Sequence, residues 1–347
     1  MLAAVYYGIN DLRLEEVEDP SIANDEALVK VRAASICGTD LRILASGHFK
    51  IPSGTKRILG HEFSGEVIEV GPEVNNLKLG MRISVAPNIG CGVCDECLRG
   101  FNNLCPDYQA FGINIDGAFA QYVRIPGAAI RQGNVMPIPD GISDEVAALC
   151  EPFSCCYHGS LACHITPNDT VLIIGAGPIG LMHIALARLS GALKVMVSEI
   201  IEERVAQAKH FGADCVLNPG KEDLVSRVKE ETNGKGADVV IVTVASPEVQ
   251  EQALEVAARH GRINIFAGLP KEKEEAHFHS NLIHYKELVV TGTTGSSTYD
   301  YRRAMNILTS GRVDLSPLIS ERFKLKDVLQ AFQFAASRKA FKVIITP

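Results

Sequence analysis

The chain has 347 residues, of which 46% are apolar and 22% charged; these values are close to soluble globular averages and exclude a disordered, collagen-like or coiled-coil chain. With 34 Lys and Arg against 41 Asp and Glu, the net charge is −7. Such a chain lacks the positive field that unspecific nucleic-acid binders and anionic-membrane binders rely on. The length points to two domains.

The opening MLAAVYYGINDLRLEE has no basic stretch, and its apolar residues run into Asp11, Glu15 and Glu16, so it does not read as a secretion signal. The longest apolar run, 171–187, contains Pro178 and His183 and stops short of a membrane span. A soluble cytoplasmic protein is expected, with neither nucleic acid nor membrane as partner. Its ten cysteines are then thiols or metal ligands rather than disulfides.

Up to about residue 150 the pattern is of short strands broken by turns, at 27–33, 65–70, 82–86 and 119–125. Within this part stand Cys37-Gly38-Thr39-Asp40 and Gly60-His61-Glu62, and where it ends comes Glu151-Pro152. Each alone means little, because a single Cys or His is usually packing. Together, cysteine, histidine and carboxylate make a mixed set with room left for solvent, which catalytic zinc requires.

Cys91, Cys94, Cys97 and Cys105 place four thiolates within fifteen residues. Their softness and number suit a closed tetrahedral zinc site, structural rather than catalytic; an iron–sulfur cluster is the rival reading.

From about 170 the rhythm changes. Apolar strands at 171–174, 194–198, 239–242, 263–266 and 288–291 alternate with helical patterns at 202–211 and 247–259, which implies a parallel sheet covered by helices. The first strand runs into Gly175-x-Gly177-Pro178-Ile179-Gly180. Gly175 allows a tight turn, Gly177 lets a pyrophosphate approach the backbone, and Gly180 lets helix and strand pack closely. Glu199 ends the next strand, where an acid accepts from adenosine ribose hydroxyls and repels a 2′-phosphate, favouring NAD over NADP. Arg204 is either an adenine-stacking residue or a solvated one. The tail adds a helical pattern at 327–336 and a strand at 342–345.

These motifs, in this order and spacing, resemble the zinc-dependent medium-chain dehydrogenase/reductase family, and Glu151-Pro152 resembles its sorbitol and L-iditol 2-dehydrogenase branch. The resemblance spans the chain. It implies an α/β protein with a GroES-like β-barrel catalytic domain (1–154 and 292–347, the tail returning) and a doubly wound Rossmann NAD-binding domain (155–291). It also implies a homodimer or homotetramer that oxidises a secondary alcohol of a polyol with NAD, giving a ketose. One zinc is catalytic and one structural. By the same resemblance Cys37, His61 and Glu62 match zinc ligands, and Glu151 matches a fourth ligand or a carboxylate bridged through water. Asp40 matches the partner of the ligating histidine, and Thr39 the hydroxyl that relays the substrate proton. Ile179, Ala267, Gly268, Leu269, Thr293 and Thr294 fall at cofactor contacts.

The chain departs from the family's pattern at Arg42, where a relay histidine is common, and at Ala245, where a glycine is expected. Ile43 and Gly295 stand where sorbitol dehydrogenases place a tyrosine and a substrate-binding arginine, which puts sorbitol itself in doubt. Charge counting adds an expectation. A zinc ion with one thiolate, a neutral histidine and one glutamate is neutral, whereas a second glutamate makes the centre negative and opposes proton loss from an alcohol. Glu62 and Glu151 are therefore expected not to hold the ion together during turnover.

Other readings are dehydrogenation of L-threonine or of a phosphorylated polyol such as galactitol 1-phosphate, or a non-catalytic relative of the fold. Lys50, Lys56 and Arg57 could meet a phosphate, although basic loop residues are more often solvated.

Overall fold

The computed structural model describes residues 1–337 and 339–347, apart from the side chain of Glu272. In chain order the first stretch carries β1 (Leu2–Gly8), β2 (Asp11–Glu16), β3 (Ala27–Ser35), α1 (Gly38–Ser46), β4 (Arg57–Ile58), β5 (Glu62–Val70), β6 (Arg82–Val85) and β7 (Asn88–Ile89). Next come α2 (Asp95–Leu98), β8 (Gln109–Ala110), β9 (Tyr122–Ile125), α3 (Gly127–Arg131), β10 (Val135–Pro137), α4 (Asp144–Ala148) and α5 (Cys150–Cys163). The middle holds β11 (Thr170–Ile174), α6 (Pro178–Leu189), β12 (Lys194–Ser198), α7 (Val205–His210), β13 (Cys215–Leu217) and α8 (Leu224–Glu231). It continues with β14 (Ala237–Val242), α9 (Pro247–Val256), β15 (Ala257–Ile265), α10 (Ser280–Lys286) and β16 (Val289–Gly292). The last elements are α11 (Thr298–Thr309), β17 (Ile319–Lys324), α12 (Val328–Ala336) and β18 (Lys342–Thr346).

Two compact units result, one from Met1–Ser154 with Ser296–Pro347 and one from Cys155–Gly295. In the first, β2, β1 and β4 make a small sheet beside a seven-stranded one ordered β10-β6-β5-β3-β18-β17, with β9 also on β3. The register of the larger sheet positions the site. Ser35 pairs with Glu62 on β5 and with Ile344 on β18, so the end of β3, the start of β5 and the start of β18 meet in one place. The alternating apolar residues of these strands (Val29, Val31, Phe63, Val67, Val343, Ile345) fill one core with Phe111, Phe119 and Phe332.

In the second unit six parallel strands run in the order β13-β12-β11-β14-β15-β16, the doubly wound arrangement in which strand order reverses between β11 and β14. Val240, Val242, Leu172 and Met196 are fully buried in its core, as continuous apolar runs in a covered parallel sheet must be.

One local expectation is corrected. The helical pattern at 247–259 stops at Val256; from Ala257 the chain is β15, because Ala257 pairs with Ala237 on β14 and tertiary pairing overrides local propensity. Glu151-Pro152 lies in the first turn of α5, where proline's missing N–H is no loss.

Candidate active site

Cys37 follows β3 and caps α1, and His61 and Glu62 lead into β5. Asp40 joins these segments. Its Oδ2 accepts from the Cys37 backbone N–H at 2.9 Å, and its Oδ1 accepts from Gly60 N–H at 3.4 Å. The same Oδ1 lies 3.4 Å from His61 Nδ1, which is buried without a formed hydrogen bond. Gly60 is required at its position: φ is +97°, and a Cβ there would meet the Phe119 backbone at 2.9 Å.

One donor atom each of Cys37, His61 and Glu62 lie within 4.8 Å of one another, and His61 and Glu62 are buried. Burial alone would lower the His61 pKa, yet the Asp40 and Cys37 charges carry it well above the usual value. Such an anionic pocket around the histidine fits a divalent ion of borderline softness. Glu151 is buried on α5 and is not one of this trio; its charge acts on Lys342, beside Glu62.

Lys342 had no signal beyond being a charge in an apolar strand. Its ammonium is buried and donates to Glu62 Oε1 at 2.6 Å and Oε2 at 2.5 Å. Thr39 is on α1, and exposed Arg42 donates to its Oγ1 at 3.4 Å. Tyr301 on α11 is fully buried, its phenol 2.5 Å from Ser84 Oγ. Ser84 Oγ lies 2.9 Å from the Ala147 carbonyl and 3.1 Å from that of Phe63, the residue after Glu62.

The sulfurs of Cys91, Cys94, Cys97 and Cys105 lie within 4.8 Å of one another. Backbone N–H groups of Val93 and Cys94 hold the Cys91 thiol down to about 7, while burial pushes Cys97 up to about 12 and raises Cys105. Four soft donors closed on each other fit a tetrahedral ion with no open position.

In the second unit the predicted cofactor residues gather at the carboxyl ends of the strands, where doubly wound sheets bind nucleotides. Gly175, after β11, has φ +103°. A Cβ on Gly180 would collide with the Gly175 carbonyl, whereas a Cβ on Gly177 would meet nothing nearer than Arg204 Nη1 at 3.8 Å. Pro178 and Ile179 open α6, whose first N–H groups suit a pyrophosphate. Glu199 is buried: Oε1 accepts from Ile200 and Ile201 N–H, Oε2 from Ala176 N–H, each at 2.8 Å, with Arg204 Nη1 3.6 Å from Oε2. Ala267, Gly268 and Leu269 follow β15; Thr293 and Thr294 follow β16, with Thr293 Oγ1 3.2 Å from Asn264 Oδ1.

The basic residues considered for phosphate have protein partners. Lys50 donates to the Tyr108 carbonyl at 2.9 Å and sits over the Tyr108 ring, Lys56 lies over the Tyr7 ring, and Arg57 pairs with Asp116 at 2.8 Å.

Comparison with known proteins agrees with this geometry. Residues 23–140 match the family described as alcohol dehydrogenase GroES-like domain, and residues 178–310 match zinc-binding dehydrogenase. An L-threonine 3-dehydrogenase of Pyrococcus abyssi is 39% identical over 95% of this chain and 94% of its own length. A sorbitol dehydrogenase of Bacillus subtilis is 35% identical over 100% of this chain and 97% of its own. Among solved structures, a zinc-binding dehydrogenase from Sinorhizobium meliloti bound to NADP superposes with a TM-score of 0.92 at 33% identity, covering 100% of this chain and 99% of that one. No described helix is long and apolar enough to cross a membrane. The chain therefore belongs to the zinc-dependent medium-chain dehydrogenase/reductase family, and is an alcohol dehydrogenase with a GroES-like and a Rossmann domain that uses zinc and NAD.

Proposed function

We propose that this enzyme oxidises a secondary alcohol of a small polyol, iditol-like or sorbitol-like, to a ketose, and that it works as a homo-oligomer in the cytoplasm. The observation that carries the chemistry is the trio Cys37, His61 and Glu62 with donor atoms inside 4.8 Å. These residues would hold the catalytic ion, with Glu151 a fourth ligand or one that acts through water. Cys91, Cys94, Cys97 and Cys105 would hold the structural ion.

Zinc, when bound, supplies a Lewis-acid charge that eases proton loss from an alcohol, and NAD accepts the hydride. Asp40 keeps His61 oriented, and fixes its segment to that of Cys37. Thr39 moves the proton outward. Arg42 cannot take it over, since a guanidinium is always protonated and only donates, so the proton leaves from Thr39 to solvent. In the second unit Glu199 pins the glycine turn through Ala176 N–H and keeps lone-pair capacity on Oε2 for a ribose hydroxyl.

The polyol reading draws on the match of sorbitol dehydrogenase along the whole chain. L-threonine is the second reading, favoured by the 39% identity to a threonine dehydrogenase; its reacting carbon is also a secondary alcohol. For the oligomer, β16 is an edge strand with Val289 half exposed, which suits pairing with a second copy. NADH formation at 340 nm with sorbitol, L-iditol, galactitol 1-phosphate and L-threonine separates the substrates. Turnover of threonine alone would replace the polyol reading, and a monomer by light scattering would remove the oligomer.

A further inference from the structure

Asn102 stands between Cys97 and Cys105, in a single 3₁₀ turn that leads into Cys105, and it is buried. Its Cβ and the Cys97 sulfur flank the same residue, Gly90. From there the amide reaches out of the four-cysteine lobe in two directions. Nδ2 donates to the Asn88 carbonyl at 2.7 Å, and Oδ1 accepts from the N–H of Thr298, 196 residues away along the chain, at 2.9 Å. Thr298 opens α11, and the first N–H groups of a helix have no partner inside it. Ser297 Oγ accepts that of Asp300, and Asn102 accepts that of Thr298. From α11 two further paths run to the carboxylates of the metal centre. Ser154 Oγ donates to the Glu151 carbonyl at 2.6 Å; its one proton is then used, so Ser296 Oγ, 2.7 Å away, donates to it. One turn into the helix, the Tyr301 phenol meets Ser84 Oγ, which lies 3.1 Å from the carbonyl of Phe63, next to Glu62. Ser84, Ser154, Ser296 and Tyr301 are all buried, and a close-packed interior transmits a displacement rather than absorbing it.

We propose that Asn102 is a positioning residue for the catalytic centre: it ties α11 to the four-cysteine lobe, so that the lobe governs where Glu151 and Glu62 stand as well as how stable the chain is. The inference rests on Cys37, His61 and Glu62 being the metal site. The lobe is the fixed end of these contacts, because a closed four-donor site holds the loop that carries it. Removing the Asn102 amide leaves the four sulfurs in place and frees the start of α11. The effect is therefore felt at the catalytic centre and not at the lobe. The residues of the glycine turn and Glu199 belong to the second unit, so NAD binding does not depend on this tie.

The test places Co²⁺ at the Cys37, His61 and Glu62 site while the four-cysteine site keeps zinc, in wild type, Asn102→Ala, Asn102→Asp and Ser296→Ala. Visible cobalt spectra report the geometry of the catalytic centre, metal analysis reports both sites, and steady-state kinetics with an alcohol the wild type oxidises separates kcat from KM for NAD. Asn102→Ala is expected to keep both ions, to change the cobalt spectrum and to lower kcat about tenfold, the lower end of what partners of metal ligands contribute, with KM for NAD unchanged. Asn102→Asp keeps an acceptor for the Thr298 N–H, and the Asn88 carbonyl still has the Asn134 amide at 2.8 Å, so this variant is expected to restore the wild-type spectrum and kcat. Ser296→Ala cuts the path beyond the helix start; its spectrum is expected to change without loss of either ion, and it decides the matter if Asn102→Ala does not fold. A wild-type spectrum and kcat in Asn102→Ala, or in Ser296→Ala where the first variant does not fold, would overturn the role of Asn102. So would the same defect in Asn102→Asp as in Asn102→Ala, or loss of the four-cysteine ion in Asn102→Ala. Failure of wild-type protein to take up cobalt at the Cys37 site would overturn the metal-site reading and this inference with it.

Discussion

Asp40 binds Cys37 through its backbone: the carboxylate reaches back three residues to accept the Cys37 N–H at 2.9 Å, and its other oxygen faces His61 at 3.4 Å. A helix start and two candidate metal ligands thus share one side chain.

Replacing Asp40 by asparagine is accordingly expected to weaken zinc binding at this site by about 10–100-fold, the usual cost of losing such a partner. Metal analysis after graded chelation checks it. Retention of both ions at wild-type chelator concentrations would contradict it.

At the four-cysteine site, Cys97→Ser is expected to lower zinc content by about one ion per chain and to reduce thermal stability, since a closed site contributes folding energy directly. Zinc content and the melting temperature, measured together, separate this from loss of the catalytic ion.

Tyr301→Phe removes the phenol that meets Ser84, beneath the strand carrying Glu62. The expected cost is about 1–3 kcal/mol, that of leaving a buried polar group short of a partner. The urea midpoint reads it, with metal content unchanged.

His183 is fully buried against the Phe266 ring, neither of its nitrogens has a partner, and burial lowers its pKa to about 3. The unfolded chain takes up this proton near pH 6.5, so the unfolded state binds more protons between about 6.5 and 3. The contribution of His183 to stability is full above pH 6.5 and is lost as pH falls below it. His183→Leu is expected to flatten the stability profile between pH 6 and pH 4, read by urea unfolding; an equally steep profile would exclude this origin.

Glu199→Ala removes the carboxylate that accepts from Ala176, Ile200 and Ile201 N–H groups. KM for NAD is expected to rise about tenfold or more, with the preference over NADP reduced, since hydrogen bonds to a charged group contribute roughly 1.5–3 kcal/mol each. Steady-state kinetics with both nucleotides decides it.

Much of the site was legible because its signals are local. The spacing of Cys91, Cys94, Cys97 and Cys105 and the Gly175 turn each fold within a few residues of themselves. The strand at 194–198 was equally plain, being a continuous apolar run. What sequence could not convey is long-range register. Nothing in Lys342-Val-Ile-Ile tells which carboxylate faces the lysine, because that depends on β18 lying beside β3, and β3 beside β5. The end of α9 was misread for a related reason: Ala257 and Ala258 suit a helix locally, and only pairing with β14 makes them strand.

Lys342 and Glu62 are 280 residues apart along the chain, and they meet only when β18 inserts between β3 and β17. During synthesis, every candidate metal ligand emerges from the ribosome well before this closing strand. Until it docks, the Glu62 carboxylate has no cation beside it, so the environment of a residue near the start of the chain is completed by the last strand to be made.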